Sequence, residues 1–322
     1  MTDSMGFAPL AIFAFTRTET LRKVLTSLAS CENLTGDGQR PGYAFVDGPR
    51  SDADRADIEC TREQLERFRR DHFPHLQIIV RETNLGNTVN MPRGIEAVLE
   101  KHGRIIVVED DVLVSRHFLT YMDAALERYR NDRKIWCVNA WRNRFVKVPR
   151  SYPHDVYLTP RNMCWGWGTW RDRWQQVDFT MADWPMFKKD PDLLAKVDQV
   201  GIELKWMLDR QYAGELHAWD VQCSFHMIQH GLYAVEPRLA MTKNIGFGTE
   251  CDHCSHPDVD ISSAKFYHFN PRLPTDELRP DPAIYGGYRY GRVCPLLGTR
   301  IKRKLLRVLW GLGPKHDEAI EA

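Results

Sequence analysis

Short apolar runs separated by amphipathic stretches fill the first 110 residues. Leu10-Ala-Ile-Phe-Ala-Phe15 has no polar position, the pattern of a strand buried on both faces. After Thr16, the apolar positions Leu21, Val24, Leu25 and Leu28 take up helical spacing. Tyr43 to Val46 predicts a second strand, closed by Asp47-Gly-Pro, and a charged helix is expected from about Asp52 to Arg70. Leu76 to Val80 predicts a third strand, Asn84-Leu-Gly86 a turn, and Val89 to Lys101 a helix. Arg104 to Val108 is a fourth strand that runs straight into Glu109-Asp110-Asp111. This β-α-β-α-β-α-β order with short connections predicts a parallel α/β sheet, in which ligands sit beyond the carboxyl ends of the strands. Thr16-Arg17, Asp47 and the three acids lie at such ends and are expected to converge on one crevice.

The pattern changes near Arg116. A helix from Phe118 to Arg130 leads to a strand at Ile135-Trp-Cys-Val138, and a tryptophan-rich stretch, Cys164 to Trp170, follows. Two or three helices are expected between Thr169 and Gly231, among them one from Val221 to His230. Trp167, Trp170 and Trp174 stand at helical i, i+3, i+7 spacing, which favours core packing for Trp170 and Trp174. Trp165 and Trp167 stay open as a wall for a saccharide, because aromatic faces suit pyranose rings. Thr242 to Cys254, with mixed polar residues and glycines, reads as a mobile lid or a plain surface loop. No internal repeat or low-complexity tract is present.

Composition narrows the class. The 322 residues carry 44 Lys+Arg against 43 Asp+Glu, for a net charge of +1, with 43% hydrophobic residues. That excludes an intrinsically disordered chain and argues against a nucleic-acid partner. No stretch approaches the roughly 20 apolar residues that cross a bilayer. The apolar run Phe7 to Phe15 has no preceding Lys or Arg and is not read as an export signal, so the eight cysteines are expected as reduced thiols in a cytosol.

The charge is uneven. Between Pro282 and His316 the chain has no Asp or Glu, but carries Arg289, Arg292, Arg300, Lys302, Arg303, Lys304, Arg307 and Lys315. From Thr299 to Leu312, Ile301, Leu305, Val308 and Leu312 fall on one helical face and the basic residues dominate the rest. This predicts a basic amphipathic helix at about 299–312 that lies on an anionic membrane surface or docks on the domain by its apolar stripe. The expected location is cytoplasmic, peripheral on the inner face of the cell membrane.

Three consecutive carboxylates after a buried strand are costly unless something positive meets them. Mn²⁺ or Mg²⁺ carrying a diphosphate answers that need, since these ions take one or two carboxylates plus substrate phosphates. The bland alternative is a solvated acidic loop leading to a helix start near Ser115. The acids alone do not separate a sugar transferase from a nucleotidyltransferase.

Val107-Val-Glu-Asp-Asp-Val112 resembles the acidic metal motif of the GT-A glycosyltransferases, in particular the N-acetylglucosaminyltransferase I family. The likeness continues in order through Phe118-Leu-Thr-Tyr121, Ile135-Trp-Cys-Val-Asn-Ala-Trp141, the Trp165 to Trp174 stretch, Trp219-Asp220, Glu236-Pro237 and Asn244-Ile-Gly-Phe-Gly248 with His253. It spans roughly residues 8–256. Cys251-Asp-His-Cys254-Ser-His256 and the basic tail have no counterpart in that pattern. The cluster's four candidate Zn²⁺ ligands lie too close in sequence for an ordinary structural site.

The resemblance implies an α/β fold of GT-A type, a Rossmann-like mixed sheet with helices on both faces, plus a C-terminal extension. Its catalytic domain would span 1–256, with a nucleotide-binding half at 1–112 and an acceptor half at 113–256, and the extension would be 257–322. It implies that Arg17 and Asp47 contact the nucleotide, that Glu109 and Asp110 meet sugar and ribose, and that Asp111 is the principal protein ligand of the metal, with His253 reaching the metal or diphosphate. Asp220 would be the catalytic base. Thr16, Asn87, Arg93, Trp165, Trp167, Trp219, Asn244, Gly246 and Gly248 complete the expected substrate-binding set. Asp220 also suits a helix N-cap, and the two roles are compatible. The implied activity is inverting, metal-dependent transfer of a sugar from a nucleotide-sugar, UDP-linked and with UDP-GlcNAc as one candidate, to a hydroxyl of a saccharide or lipid-linked glycan acceptor in surface-glycan synthesis. A sugar-nucleotidyltransferase is the rival enzyme, but Phe15-Thr-Arg-Thr18 lacks the glycine-rich loop that would hold a triphosphate. A non-catalytic sugar- or membrane-binding module is the rival from another class.

Overall fold

The computed structural model describes residues 6–143, 146–201, 203–246 and 265–286. The chain opens with β1 (Leu10–Ala14), α1 (Thr18–Ala29), β2 (Gly42–Val46), α2 (Arg55–Asp71, entered through a 3₁₀ turn), β3 (Leu76–Val80), α3 (Asn87–His102) and β4 (Arg104–Glu109). These are the seven expected elements. The second half runs β5 (Val112–Val114), α4 (Phe118–Arg128), β6 (Ile135–Asn139), β7 (Val156–Thr159), β8 (Trp167–Trp170) and α5 (Arg171–Trp174). It continues through α6 (Trp184–Phe187), α7 (Pro191–Val200), α8 (Leu204–Tyr212), α9 (Trp219–His230), β9 (Tyr233–Pro237), β10 (Thr242–Asn244) and α10 (Pro282–Tyr285).

Eight strands form one sheet in the order β3-β2-β1-β4-β8-β6-β9-β7. β1 pairs in parallel with β2 and β4, and β2 with β3. β8 then runs antiparallel to both β4 and β6, so it joins the two halves of the chain into one mixed sheet. β1 shows why its sequence has no polar position. Leu10, Ile12 and Ala14 enter the core on one side of the sheet, and Ala11 and Phe13 enter the core on the other.

The tryptophan-rich stretch corrects the helical reading of its spacing. Trp167 to Trp170 is the strand β8, and only Arg171–Trp174 is helical. Three residues along a strand reverse the side chain, so Trp167 joins one core and Trp170 the opposite one. Both are buried all the same.

Five helices, α5 to α9, occupy the interval where two or three were expected. α6, α7 and α8 build a small apolar cluster around Trp184, Phe187, Val197 and Leu208, to which α9 contributes Val221, Phe225 and Ile228. The other side of α9 gives Trp219, Cys223 and Met227 to the sheet. Being packed from two sides, α9 holds its first turn, with Asp220, in a fixed place.

Residues 265–286 belong to the body of the fold, although they fall in the stretch expected as an extension. Leu278, Ile284 and Tyr285 are buried in the main core, and the Arg128 guanidinium donates to the carbonyls of Pro274, Thr275 and Asp276. Among the described residues no helix is long and apolar enough to cross a membrane. The helix expected at 299–312 lies outside the described residues.

Cys31, Cys60, Cys137 and Cys223 are free thiols. Burial pushes the Cys31 thiol up to about 12 and raises Cys137 and Cys223 as well, which leaves these three unreactive.

Candidate active site

The carboxyl ends of β1 and β4 meet at Glu109, Asp110 and Asp111. One carboxylate oxygen of Asp110 accepts the backbone N–H of Phe15 at 3.2 Å. The other lies 2.5 Å from Arg17 Nη2, while Arg17 Nη1 donates to Asp111 Oδ2 at 2.6 Å. The guanidinium fork therefore spans two adjacent carboxylates, and the expected convergence of Arg17 with the acids is present. Asp110 and Asp111 are buried, at 2% and 7% exposure.

The electrostatics follow from that burial. Burial pulls the Arg17 guanidinium down, but the charges of Asp110, Asp111 and Glu109 outweigh it and hold the group charged. Burial, opposed by Arg17, raises the Asp110 carboxyl to about 6. Burial first, then Asp111, pushes Glu109 well above the usual carboxylate range, and Asp220 is among the charges that add to the rise. Asp220 is thus close enough to Glu109 for its charge to be felt there.

A second strand pair packs directly against Asp111. β5, which leaves Asp111 directly, pairs antiparallel with β10, setting Asn244 opposite Val112. The Ile245 N–H donates to the Asp111 carbonyl at 2.8 Å, and the Gly246 N–H to Asn244 Oδ1 at 2.8 Å. A Cβ at Gly246 would collide with Asp111 Oδ2 and lie 2.9 Å from Arg17 Nη1. Position 246 therefore takes glycine for close approach. The start of the expected lid is thus an anchored strand, with Thr242 and Asn244 buried. Gly248, His253 and the Cys251–His256 cluster lie outside the described residues.

Asp47 stands at the end of β2 and organises a neighbouring loop. Its Oδ1 accepts from the Gly48 and Leu85 backbones and its Oδ2 from the Gly86 backbone, each at 2.9 Å, with Asn84 Nδ2 at 3.3 Å. Thr16 is half-buried beside this end of the sheet. Asn87 opens α3 and Arg93 lies further along it; among the described residues neither is bonded to the acids.

Two tryptophans expected to bind substrate, Trp167 of the acceptor wall and Trp219, are core residues instead. Trp167 is fully buried, with its ring 5.9 Å from Trp136, 6.1 Å from Trp174 and 5.4 Å from Trp219. Trp219 is 2% exposed in the same stack. Neither offers a face to a sugar, because both complete the core under α9. Trp165 is 7% exposed and sits edge-on to Trp141 at 4.7 Å, so little of its ring reaches the crevice.

Asp220 lies in the first turn of α9, and the N-cap is Ala218, so the capping role falls away while the favourable helix-end charge remains. Cys164 Sγ donates to Asp220 Oδ2 at 3.8 Å, a neighbour that no pattern along the chain marked. The ion pair between Arg161 and Glu203, at 2.9 Å and buried, has no sequence signal either. It ties the chain after β7 to the turn between α7 and α8.

The residues present suit a divalent cation. Asp111 Oδ1 is buried with no hydrogen-bond partner, an oxygen left over for a ligand. Among the described residues no group of three or more His, Cys, Asp or Glu is arranged to hold a metal by itself. A single carboxylate completed by substrate phosphates needs no such group.

Residues 95–196, about a third of the chain, match the GNT-I family. The match runs from α3 through the three acids, β6, the tryptophan strand and α7. Among solved structures, the chain is similar to the mannosyltransferase PcManGT from Pyrobaculum calidifontis, in complex with GDP-Man and Mn²⁺, at 13% identity and a TM-score of 0.35. That likeness covers 52% of this chain and 46% of the mannosyltransferase. It is also similar to S. aureus TarS, at 14% identity and a TM-score of 0.34, over 53% of this chain and 30% of TarS. This chain therefore spans less than half the length of either. The particular likeness is to the GNT-I family.

Proposed function

We propose that the chain transfers a sugar from a nucleotide-sugar, UDP-linked, to a hydroxyl of a saccharide acceptor, with inversion and with a divalent metal ion. The observation that carries this reading is Asp111: a buried carboxylate at the end of β4, with one oxygen bonded to Arg17 and the other unpaired. Asp111 would hold Mn²⁺ or Mg²⁺, which when bound neutralises the leaving diphosphate. The remaining work falls to the chain's own residues. Asp220, close enough to Glu109 for its charge to be felt there, takes the proton of the acceptor hydroxyl as its oxygen bonds to the anomeric carbon and the bond to the diphosphate breaks. One base opposite one leaving group makes a single displacement, hence inversion. Thr16, Asp47 and the 84–86 loop lie on the side where the nucleotide would bind, and Asn244 and Gly246 close over Asp111.

The reaction is tested by following UDP release from a panel of UDP-sugars with mono- and disaccharide acceptors, and reading the anomer of the product by NMR. Inverted product from the wild type and a loss of roughly 100-fold or more in turnover in Asp220→Asn, with UDP affinity kept, are expected. Full turnover in Asp220→Asn would contradict the role assigned to Asp220.

The basic run from Arg289 to Lys315 supports a lipid-linked glycan as acceptor and peripheral attachment to an anionic membrane, on the cytoplasmic side. Sedimentation of the full chain with phosphatidylglycerol vesicles, and its loss in phosphatidylcholine vesicles, is the expected result. Equal sedimentation with both would contradict it.

A further inference from the structure

Arg17 joins two carboxylates, and one of them is Asp111, the proposed metal ligand. Nη1 lies 2.6 Å from Asp111 Oδ2 and Nη2 lies 2.5 Å from Asp110 Oδ1. The pair is enclosed. The Asp111 side chain is 10% exposed, and Gly246 closes over both Asp111 Oδ2 and Arg17 Nη1. A buried pair of this kind is little screened by salt, and its charges act strongly on any third charge that enters. A divalent cation on Asp111 Oδ1, the unpaired oxygen, would share one carboxylate with a guanidinium of like sign.

The arginine is also the part able to yield. Its backbone is pinned as the N-cap of α1, accepting from the Leu21 N–H and the Thr20 hydroxyl. Its side chain is 27% exposed, whereas the acids are sealed in. A nucleoside diphosphate entering the crevice brings negative charge to which a partly exposed guanidinium can turn.

We propose that Arg17 is a counter-ion gate on Asp111: its guanidinium competes with the divalent cation for this carboxylate, and the cation binds tightly only together with a nucleoside diphosphate that draws the guanidinium away. The proposal rests on the reading of Asp111 as the metal ligand. Its consequence is reciprocal coupling, since whatever UDP adds to Mn²⁺ affinity, Mn²⁺ adds to UDP affinity. Arg17 acts as a positioning residue, and part of that coupling passes through it.

The test is Mn²⁺ titration of the full chain, followed by the EPR signal of free Mn²⁺, without nucleotide and with saturating UDP. Wild type, Arg17→Gln, Arg17→Lys and Arg50→Gln are compared. Arg50 stacks on Phe15 and pairs with Asp54, so its loss removes a nearby cation while leaving the Arg17–Asp111 pair in place. Without nucleotide, Arg17→Gln is expected to bind Mn²⁺ roughly tenfold or more tightly than wild type, and Arg50→Gln within about twofold of it. Arg17→Lys keeps a cation but has no fork to span both acids; it is expected between the two, and decides the matter should Arg17→Gln fail to fold. The factor by which UDP tightens Mn²⁺ binding is expected to fall about tenfold in Arg17→Gln. Arg17→Gln binding Mn²⁺ no more tightly than wild type, or Arg50→Gln gaining as much, would overturn the gate while leaving the metal site standing. A wild type that takes up no Mn²⁺ even with UDP would remove the metal reading itself.

Discussion

Gly246 and Asp111 touch across the β5–β10 ribbon so closely that no Cβ fits between the Gly246 backbone and the Asp111 carboxylate. Residues 135 positions apart in the chain thus share the geometry of one oxygen atom. Gly246→Ala is expected to lower the Mn²⁺-dependent affinity for UDP about tenfold or more by displacing Asp111 and Arg17, while far-UV circular dichroism stays unchanged. Overpacking costs about 1–3 kcal/mol in a well-filled site, which is consistent with a folded variant. Unchanged UDP affinity in that variant would count against the close approach.

Asp47 is expected to matter to stability before it matters to a nucleotide. It accepts three backbone N–H groups, from Gly48, Leu85 and Gly86. Asp47→Ala leaves all three without this acceptor, for a loss of roughly 2–4 kcal/mol. The urea midpoint of unfolding measures it. A midpoint equal to wild type would show that the loop does not depend on this carboxylate.

Trp167→Ala separates a core tryptophan from an acceptor contact. Its ring is sealed against Trp136, Trp174 and Trp219. Truncation is expected to cost about 3–5 kcal/mol of stability. The milder Trp167→Phe should fold and keep the acceptor KM within about twofold. A large KM effect with unchanged stability would restore the sugar-wall reading.

Acid is expected to weaken the fold through His226. This side chain is 4% exposed, packs against the Trp136 and His230 rings, and leaves Nε2 without a partner. Burial, with the nearby His230 adding to it, lowers its pKa from 6.5 to about 4. The unfolded chain therefore takes up a proton at a pH where the folded chain does not. Its contribution is fully present above pH 6.5 and is lost as the pH falls from 6.5 to about 4, by roughly 2–3 kcal/mol. Urea unfolding at pH 7.5 and pH 4.5 checks this, and His226→Phe should flatten most of the difference.

The first half of the chain was readable because its strands are mostly buried on both faces and its helices carry clean apolar stripes. Leu76–Val80 falls where the run of side chains placed it, and α1 buries the same Leu21, Val24, Leu25 and Leu28 that its spacing marked. The second half was less legible. β8 consists of Trp167-Gly-Thr-Trp170, and tryptophans three apart suit a helix as well as a strand that feeds two cores. The site divides in the same way. The acids stood out as residue types at a strand end, and Asp220 through the resemblance that Trp219-Asp220 carries. The duties of Asp47 and Gly246 did not, because their partners are backbone groups and side chains up to 135 positions away. Spacing along a chain carries no record of such partners.

On the proposed reading, Asp111 binds a divalent cation that in turn holds a nucleoside diphosphate. Calorimetric titration of UDP and of GDP, each with and without Mn²⁺, into wild type and Asp111→Ala tests this most directly. The predicted result is UDP binding that needs Mn²⁺ in the wild type, exceeds GDP binding, and weakens roughly 100-fold or more in Asp111→Ala. Nucleotide binding indifferent to both Mn²⁺ and Asp111, or no binding of either nucleotide, would contradict it.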